Sequence, residues 1–492
     1  MKIIREREKC LAQEKCNKRG VKKLSDRRRG RVNKVRVAIA IEVFVVVILL
    51  IVIGVIVFRN KSGRKDAKKT ETTTVEQTKK EEPVPTPEPT PEPTPEPTPE
   101  INAALIEACD RAKIMAAQYD YDGAIELVKS VEGFEEDEDA TALLAEFEDG
   151  KSKLVLWPDN TKISHIFVHS LIVDTSLAFR KGSSTPDGYN KYMTTISEFE
   201  KMIQSMYDRG YVMISIHDMA ENVVGDDGKS VMTRKEIWLP EGKTPFVLSQ
   251  DDVNYYDYMT GDGFATKLVL MDDGDVKCEY VTKDGETVYG DYDMAPIIDR
   301  FVEEHPDFAY HGHKGLLCVT GYEGALGYDT GWHQWNKDDP KEAAQLKELQ
   351  EQCTKVADAL KADGWEFASH SYTHGNMQTN SIDRIKYDTD KWQREVEPLL
   401  GHTDIYVYPY GADICDWRGY KGEKYDYLNQ AGFDYFCNVD SSQYWVQINS
   451  DYLRMGRINT DGLMIYNHPD RVSYFFDAAE VLDQTRPLPV PQ

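Results

Sequence analysis

From Trp157-Pro158 to the C-terminus, short apolar runs alternate with amphipathic stretches, and this alternation limits the fold more than any other feature of the chain. The runs stand at 166–168, 212–216, 246–248, 316–319, 366–368, 405–408, 435–438 and 463–466, and helical periodicity fills 196–208, 294–304, 341–362 and 382–400. Strand and helix in alternation over about 330 residues mean an α/β domain with a parallel sheet, open or closed into a barrel. Chemistry on such a sheet belongs at the C-terminal ends of strands. Asp251-Asp252, His370, Tyr410 and Asp440 all fall there. An alternating stretch at 279–289, turning at Lys283-Asp284-Gly285, predicts a small β-hairpin inserted after the Asp251 loop.

The first 69 residues are a different material. They hold 21 Lys and Arg against 6 Asp and Glu, so the net charge of −25 leaves −40 for residues 70–492, and a body that acidic argues against nucleic-acid binding. Residues 37–58 form an almost wholly apolar run whose only charge is Glu42; as a helix it would span about 30 Å, which predicts one transmembrane helix. Fifteen basic residues lie in 1–36 and six in 59–69, so the basic arm 1–36 is expected in the cytoplasm and the rest of the chain outside. Residues 59–100 are polar and then dominated by the repeat Pro-Glu-Pro-Thr, which predicts a disordered, extended spacer. Residues 101–153 turn helical and predict a small tetratricopeptide-like stalk packed near the main domain. The eight cysteines have neither metal-type nor redox-type spacing and are expected to be scattered, mostly buried residues.

Two histidines four apart, in Ser369-His370-Ser371-Tyr372-Thr373-His374, can present both imidazoles to one metal ion, from a helix face or from a loop after a strand. No general base lies between them. Adjacent aspartates after an apolar run, in Ser249-Gln250-Asp251-Asp252, can supply one carboxylate to the metal and one to the water it activates.

From about Lys162 onward these residues resemble the NodB-like polysaccharide deacetylases, metal-dependent hydrolases on a distorted (β/α) barrel. The family's Thr-Phe-Asp-Asp motif corresponds to Ser249-Gln250-Asp251-Asp252, and its His-Ser/Thr-x-x-His motif is matched in full by His370 and His374. The resemblance implies a deacetylase-like domain over 155–492, Asp251 as base, and Asp252, His370 and His374 as ligands of a divalent metal, a set that suits zinc. In the third motif Pro409-Tyr410-Gly411 is kept, so the Tyr410 N–H is expected to hold the oxyanion, but Val407 stands where the family has an arginine that orients the base. Arg454 or Arg457 could replace it.

Cys437-Asn438-Val439-Asp440 begins like the fourth motif, and Gly462 followed by a strand and His468 has the spacing of the fifth, which makes His468 the expected acid. Tyr408 and Asp440 are expected to touch substrate, among many aromatics suited to sugar faces. His169 reads as a hydrogen-bonded interior histidine, and His311-Gly312-His313 as a loop with no second metal. The implied function is removal of acetyl groups from a cell-envelope polysaccharide of peptidoglycan or poly-N-acetylglucosamine type. The rival is a weakened domain that binds glycan without cleaving it, for which the lost arginine would be the mark.

Overall fold

Eight parallel strands form the centre of the molecule: β1 Ser164–Val168, β2 Tyr211–Met213, β3 Thr244–Gln250, β4 Leu316–Val319, β5 Glu366–Ser369, β6 Ile405–Val407, β7 Tyr435–Val439 and β8 Leu453–Asn459. Seven of them close into a ring in the order β1-β3-β4-β5-β6-β7-β8, with Ile458 of β8 opposite Ile166 of β1. The short β2 pairs with the first half of β3, Tyr211 opposite Thr244, and leaves the second half to β4, where Leu316 faces Ser249. This computed structural model describes residues 99–225, 228–331 and 335–492, which belong to one compact unit, Thr94–Gln492.

Alternation along the strands divides the core in two. Val247, Leu316, Cys318, Ala368, Val407, Cys437 and Met455 form one buried cluster along the barrel interior. Their neighbours Ile166, Val168, Phe246, Leu248, Leu317, Val319 and Phe367 pack in another with the surrounding helices. Those helices lie where periodicity predicts them: Ile196–Asp208, Met294–Glu304, Pro340–Ala362 and Ile382–Glu395. The first starts on a capping box in which Thr195 Oγ1 accepts from Glu198 N–H and the Glu198 carboxylate accepts from Thr195 N–H. The last is shorter than expected, because Pro398 brings no N–H and the chain restarts as a single turn, Glu397–Leu400.

One strand expectation fails, and it matters for the site. Residues 463–466 are not a strand but part of the helix Gly462–Asn467, nucleated by Asp461, whose carboxylate accepts from Met464 N–H at 3.0 Å. The strand in that position of the barrel is β8, which begins ten residues earlier. The expected insertion is present as a three-stranded antiparallel sheet, Lys267–Leu270, Val276–Val281 and Thr287–Gly290, with Thr287 opposite Val281.

The stalk consists of helices Pro99–Ala117, Tyr121–Lys129 and Glu138–Ser152 around Ala112, Ala124, Val128 and Phe147. It docks on the barrel domain through Tyr119, whose hydroxyl donates to Asp307 O at 2.8 Å, and through Gln118 O, which accepts from His311 N–H at 2.8 Å. His311 therefore serves this junction through its backbone, while His313 Nδ1 meets Asp218 Oδ2 at 2.8 Å within the barrel domain. All six described cysteines are unpaired, and four of them are buried. Among the described residues no helix is long and apolar enough to cross a membrane; the run at 37–58 and the spacer up to residue 98 lie outside them.

At the N-terminal face, His217 ties together the starts of β5 and β6: Nδ1 meets Glu366 Oε1 at 2.5 Å and Nε2 meets Asp404 Oδ1 at 2.9 Å. Burial opposes the imidazolium, but the two carboxylates outweigh it and raise the group to about 10. A histidine raised in the folded state stabilises fully below its unfolded value of about 6.5, and the contribution is lost as pH rises through the folded value. The melting temperature is therefore expected to fall between pH 6.5 and 10, and thermal melts of His217→Gln over that interval should show a flatter profile.

Candidate metal centre and the residues around it

The C-terminal ends of β3 and β5 bring Asp252, His370 and His374 together, with one potential ligand atom from each lying within 4.8 Å of the others. His370 is almost fully buried, and its Nδ1–H donates to Val407 O at 2.9 Å. Burial lowers this imidazole to about 4, so it is neutral near pH 7 with the Nε2 lone pair free to bind a cation. His374 Nε2 faces Asp252 Oδ1 at 3.9 Å. Two imidazoles and a carboxylate converging in this way fit a divalent ion of the zinc type.

The histidine segment is a loop after a strand, not a helix, and one buried carboxylate shapes it. Asp388, on the helix Ile382–Glu395, accepts from Tyr372 N–H at 2.6 Å and Thr373 N–H at 3.0 Å, and also from the Thr373 hydroxyl. Ser371 Oγ accepts from Gly375 N–H at 3.0 Å. Backbone strain concentrates here: Asp252, Tyr255, Ser371, His374 and Tyr410 all have φ between +52° and +59°. Non-glycine residues pay to adopt this conformation, and sites that need fixed geometry are where such strain persists.

Asp251 is buried beside the cluster and held by Arg457 of β8 in a bidentate pair, Nη1 to Oδ1 at 2.6 Å and Nη2 to Oδ2 at 2.9 Å. Burial alone would raise the carboxyl. Arg457, then His370 and His169, overcome that and hold it well below its ordinary range, so it is ionised and able to accept a proton. Arg457 lies over the Phe167 ring at 4.2 Å and donates from Nη1 to Ser249 Oγ at 3.1 Å, which in turn is 2.9 Å from the buried His165 Nε2. The arginine absent at 407 is thus supplied from another strand, and Val407 contributes its carbonyl to His370 instead.

The remaining expected residues divide. Tyr410 sits at the site, its ring centroid 4.4 Å from that of His374, in the turn Pro409–Gly411. Tyr408 does not: its side chain is fully buried against Tyr406 and Phe436 and its hydroxyl lies 3.1 Å from that of Tyr420, so it lines no groove. Asp440 caps its own loop through Ser442 N–H at 2.8 Å. His468 lies beyond the helix Gly462–Asn467, about 10 Å of helical rise from Asp461. The histidine that does adjoin Asp251 is His169. Asp251 N–H donates to Val168 O at 2.9 Å, and Val168 pairs with Gln250, so His169 and Asp251 leave adjacent strands side by side. The signal for it was present in the sequence, a histidine directly after a barrel strand, but its importance depends on β1 closing against β8.

Residues 334–436 match the family model described as polysaccharide deacetylase. The matched deacetylase segment contains β5, both metal-site histidines, β6 and Pro409-Tyr410-Gly411, while Asp251, Asp252 and Arg457 lie outside it. It bears out the resemblance and supports a hydrolase acting on amide bonds of acetylated polysaccharides. Among solved structures, the Streptococcus pyogenes deacetylase PplD in complex with acetate is similar at 12% identity over 65% of this chain and 98% of its own, with a TM-score of 0.32. The BpsB deacetylase domain from Bordetella bronchiseptica is similar at 13% identity over 62% of this chain and 99% of its own, also with a TM-score of 0.32. No curated protein matches the chain.

Proposed function

We propose that the protein removes acetyl groups from a cell-envelope polysaccharide of peptidoglycan or poly-N-acetylglucosamine type, with the catalytic domain held outside the cell by a membrane helix at 37–58. The observation that carries the chemistry is the ionised Asp251, fixed by Arg457 beside a two-histidine, one-carboxylate cluster. The topology rests on the apolar run and on the excess of basic residues before it.

Asp252, His370 and His374 would hold the divalent ion, zinc by donor type. When bound, such an ion polarises an acetyl carbonyl and makes a water acidic. Asp251 takes the proton of the attacking water; its bidentate pairing leaves the carboxylate little freedom to turn away. The Tyr410 N–H, in the strained turn beside His374, donates to the developing oxyanion. His169, next to Asp251 on the neighbouring strand, delivers the proton to the leaving nitrogen or oxygen, in place of His468. The orientation of Asp251 from β8 supports a catalytic domain over a non-catalytic glycan-binding one.

The test is metal content together with acetate release by the purified full-length chain, on peptidoglycan and on poly-N-acetylglucosamine oligomers. Acetate from either polymer, lost on chelation and restored by zinc, is the expected result. Metal-loaded protein that binds both polymers and frees acetate from neither would restore the binding-domain reading, and hydrolysis confined to other amides would move the substrate away from sugars.

A further inference from the structure

A closed circuit of hydrogen bonds surrounds Asp252. Tyr256 Oη donates to Asp252 Oδ1 at 2.7 Å, the same oxygen that faces His374. The tyrosine hydroxyl has one proton and uses it there, so the Thr320 hydroxyl, 2.8 Å away, donates to Tyr256 Oη. Thr320 is fixed by a single side chain on both sides of its own residue: its N–H donates to Asn254 Oδ1 at 3.0 Å and its carbonyl accepts from Asn254 Nδ2 at 3.0 Å. The Asn254 N–H donates to Asp252 O at 2.6 Å and closes the circuit, which also holds Asp252 in its left-handed conformation. Asn254, Tyr256 and Thr320 are each no more than 4% exposed.

We infer that Tyr256, backed by Thr320 and Asn254, is a positioning residue that sets the metal affinity of the site by fixing the Asp252 carboxylate. Packing does not call for the hydroxyl. The Tyr256 ring stacks on Tyr322 and Tyr258 at centroid distances of 5.1 and 5.9 Å, contacts a phenylalanine would keep, whereas the hydroxyl's partners are the ligand carboxylate and the threonine that orients it. A carboxylate free to rotate must be ordered when a cation arrives. Here the ordering is already present in the protein, so it does not oppose binding. The stack anchors the ring, and the hydroxyl cannot swing off Asp252 without breaking it.

The inference rests on the ligand set and not on the substrate. Its test is a zinc titration of the metal-free, full-length chain in competition with a chromophoric chelator. Tyr256→Phe is expected to bind Zn2+ about 10–100-fold more weakly, with the melting temperature of the metal-free protein unchanged. Thr320→Ser keeps the donor and should bind like wild type, while Thr320→Val should bind more weakly. Unchanged zinc affinity in Tyr256→Phe overturns the inference, as do equal losses in the two Thr320 variants or a wild-type chain that binds no zinc. Acetate release is followed in parallel: wild type that binds zinc and frees no acetate sinks the deacetylase reading while the affinity comparison still stands.

Discussion

Replacing Arg457 with methionine is expected to lower kcat for acetate release by about 10²–10⁴-fold, the range a general base contributes, while leaving Asp252, His370 and His374 able to bind metal. Arg457 is fully buried, and both of its terminal nitrogens are spent on Asp251. Without it, burial acts on Asp251 with one fewer opposing charge. The carboxyl shifts upward, and its freedom to rotate returns. Breaking a buried pair from one side also leaves the other charge uncompensated, at a cost of about 3–5 kcal/mol in stability. Arg457→Lys separates these effects: it keeps a positive charge but not the two-pronged geometry, so it should recover more stability than activity. The checks are kcat, zinc stoichiometry and the denaturant midpoint. Wild-type kcat in a folded Arg457→Met protein would remove Arg457 from the mechanism.

The parts of the site legible in the sequence are those carried by local signals. Asp251-Asp252 and His370-x-x-x-His374 each follow an apolar run, and a motif at a strand end keeps its meaning whatever the rest of the chain does. Arg457 acts on a partner 206 residues away, and no local pattern separates it from Arg454, the other cation the sequence offers, which pairs with Asp413. Its strand was also hidden, because Leu453-Arg454-Met455-Gly456-Arg457 interrupts the apolar alternation with two arginines and a glycine, though Leu453, Met455 and both arginines are buried. The opposite error arose at Leu463-Met464-Ile465-Tyr466. A short apolar run is ambiguous between strand and helix, and the Asp461 cap decided it. Tyr408 shows a further limit: a tyrosine next to a motif suggests a sugar contact, but on this strand end its side chain turns into the aromatic layer beneath the loop. Asp388 and Tyr256 could not have been identified in advance, since each works through backbone or carboxylate partners that only the folded loops bring near.

Exchanging the two candidate acids should separate them: His169→Ala is expected to lower kcat on an acetamido sugar by about 10²–10⁴-fold, and His468→Ala to change it by no more than about twofold. The grounds are topological. β1 lies between β8 and β3 in the ring, with Asn459 opposite Phe167 on one side and Val168 opposite Gln250 on the other. His169 therefore leaves the barrel between Asp251 and the buried Asp461. His468 is separated from that point by a complete short helix, whose last residue, Asn467, reaches the carbonyls of Val490 and Pro491 in the C-terminal tail. The leaving group supplies the sharper check. An amide nitrogen must gain a proton as its bond to the acetyl carbon breaks, whereas a nitrophenolate departs without one, so an acid is needed on the first substrate and not on the second. His169→Ala should then lose far more activity on an acetamido sugar than on nitrophenyl acetate. Equal losses on both would mean that His169 shapes the site without donating the proton, and a selective loss in His468→Ala would return the role to His468.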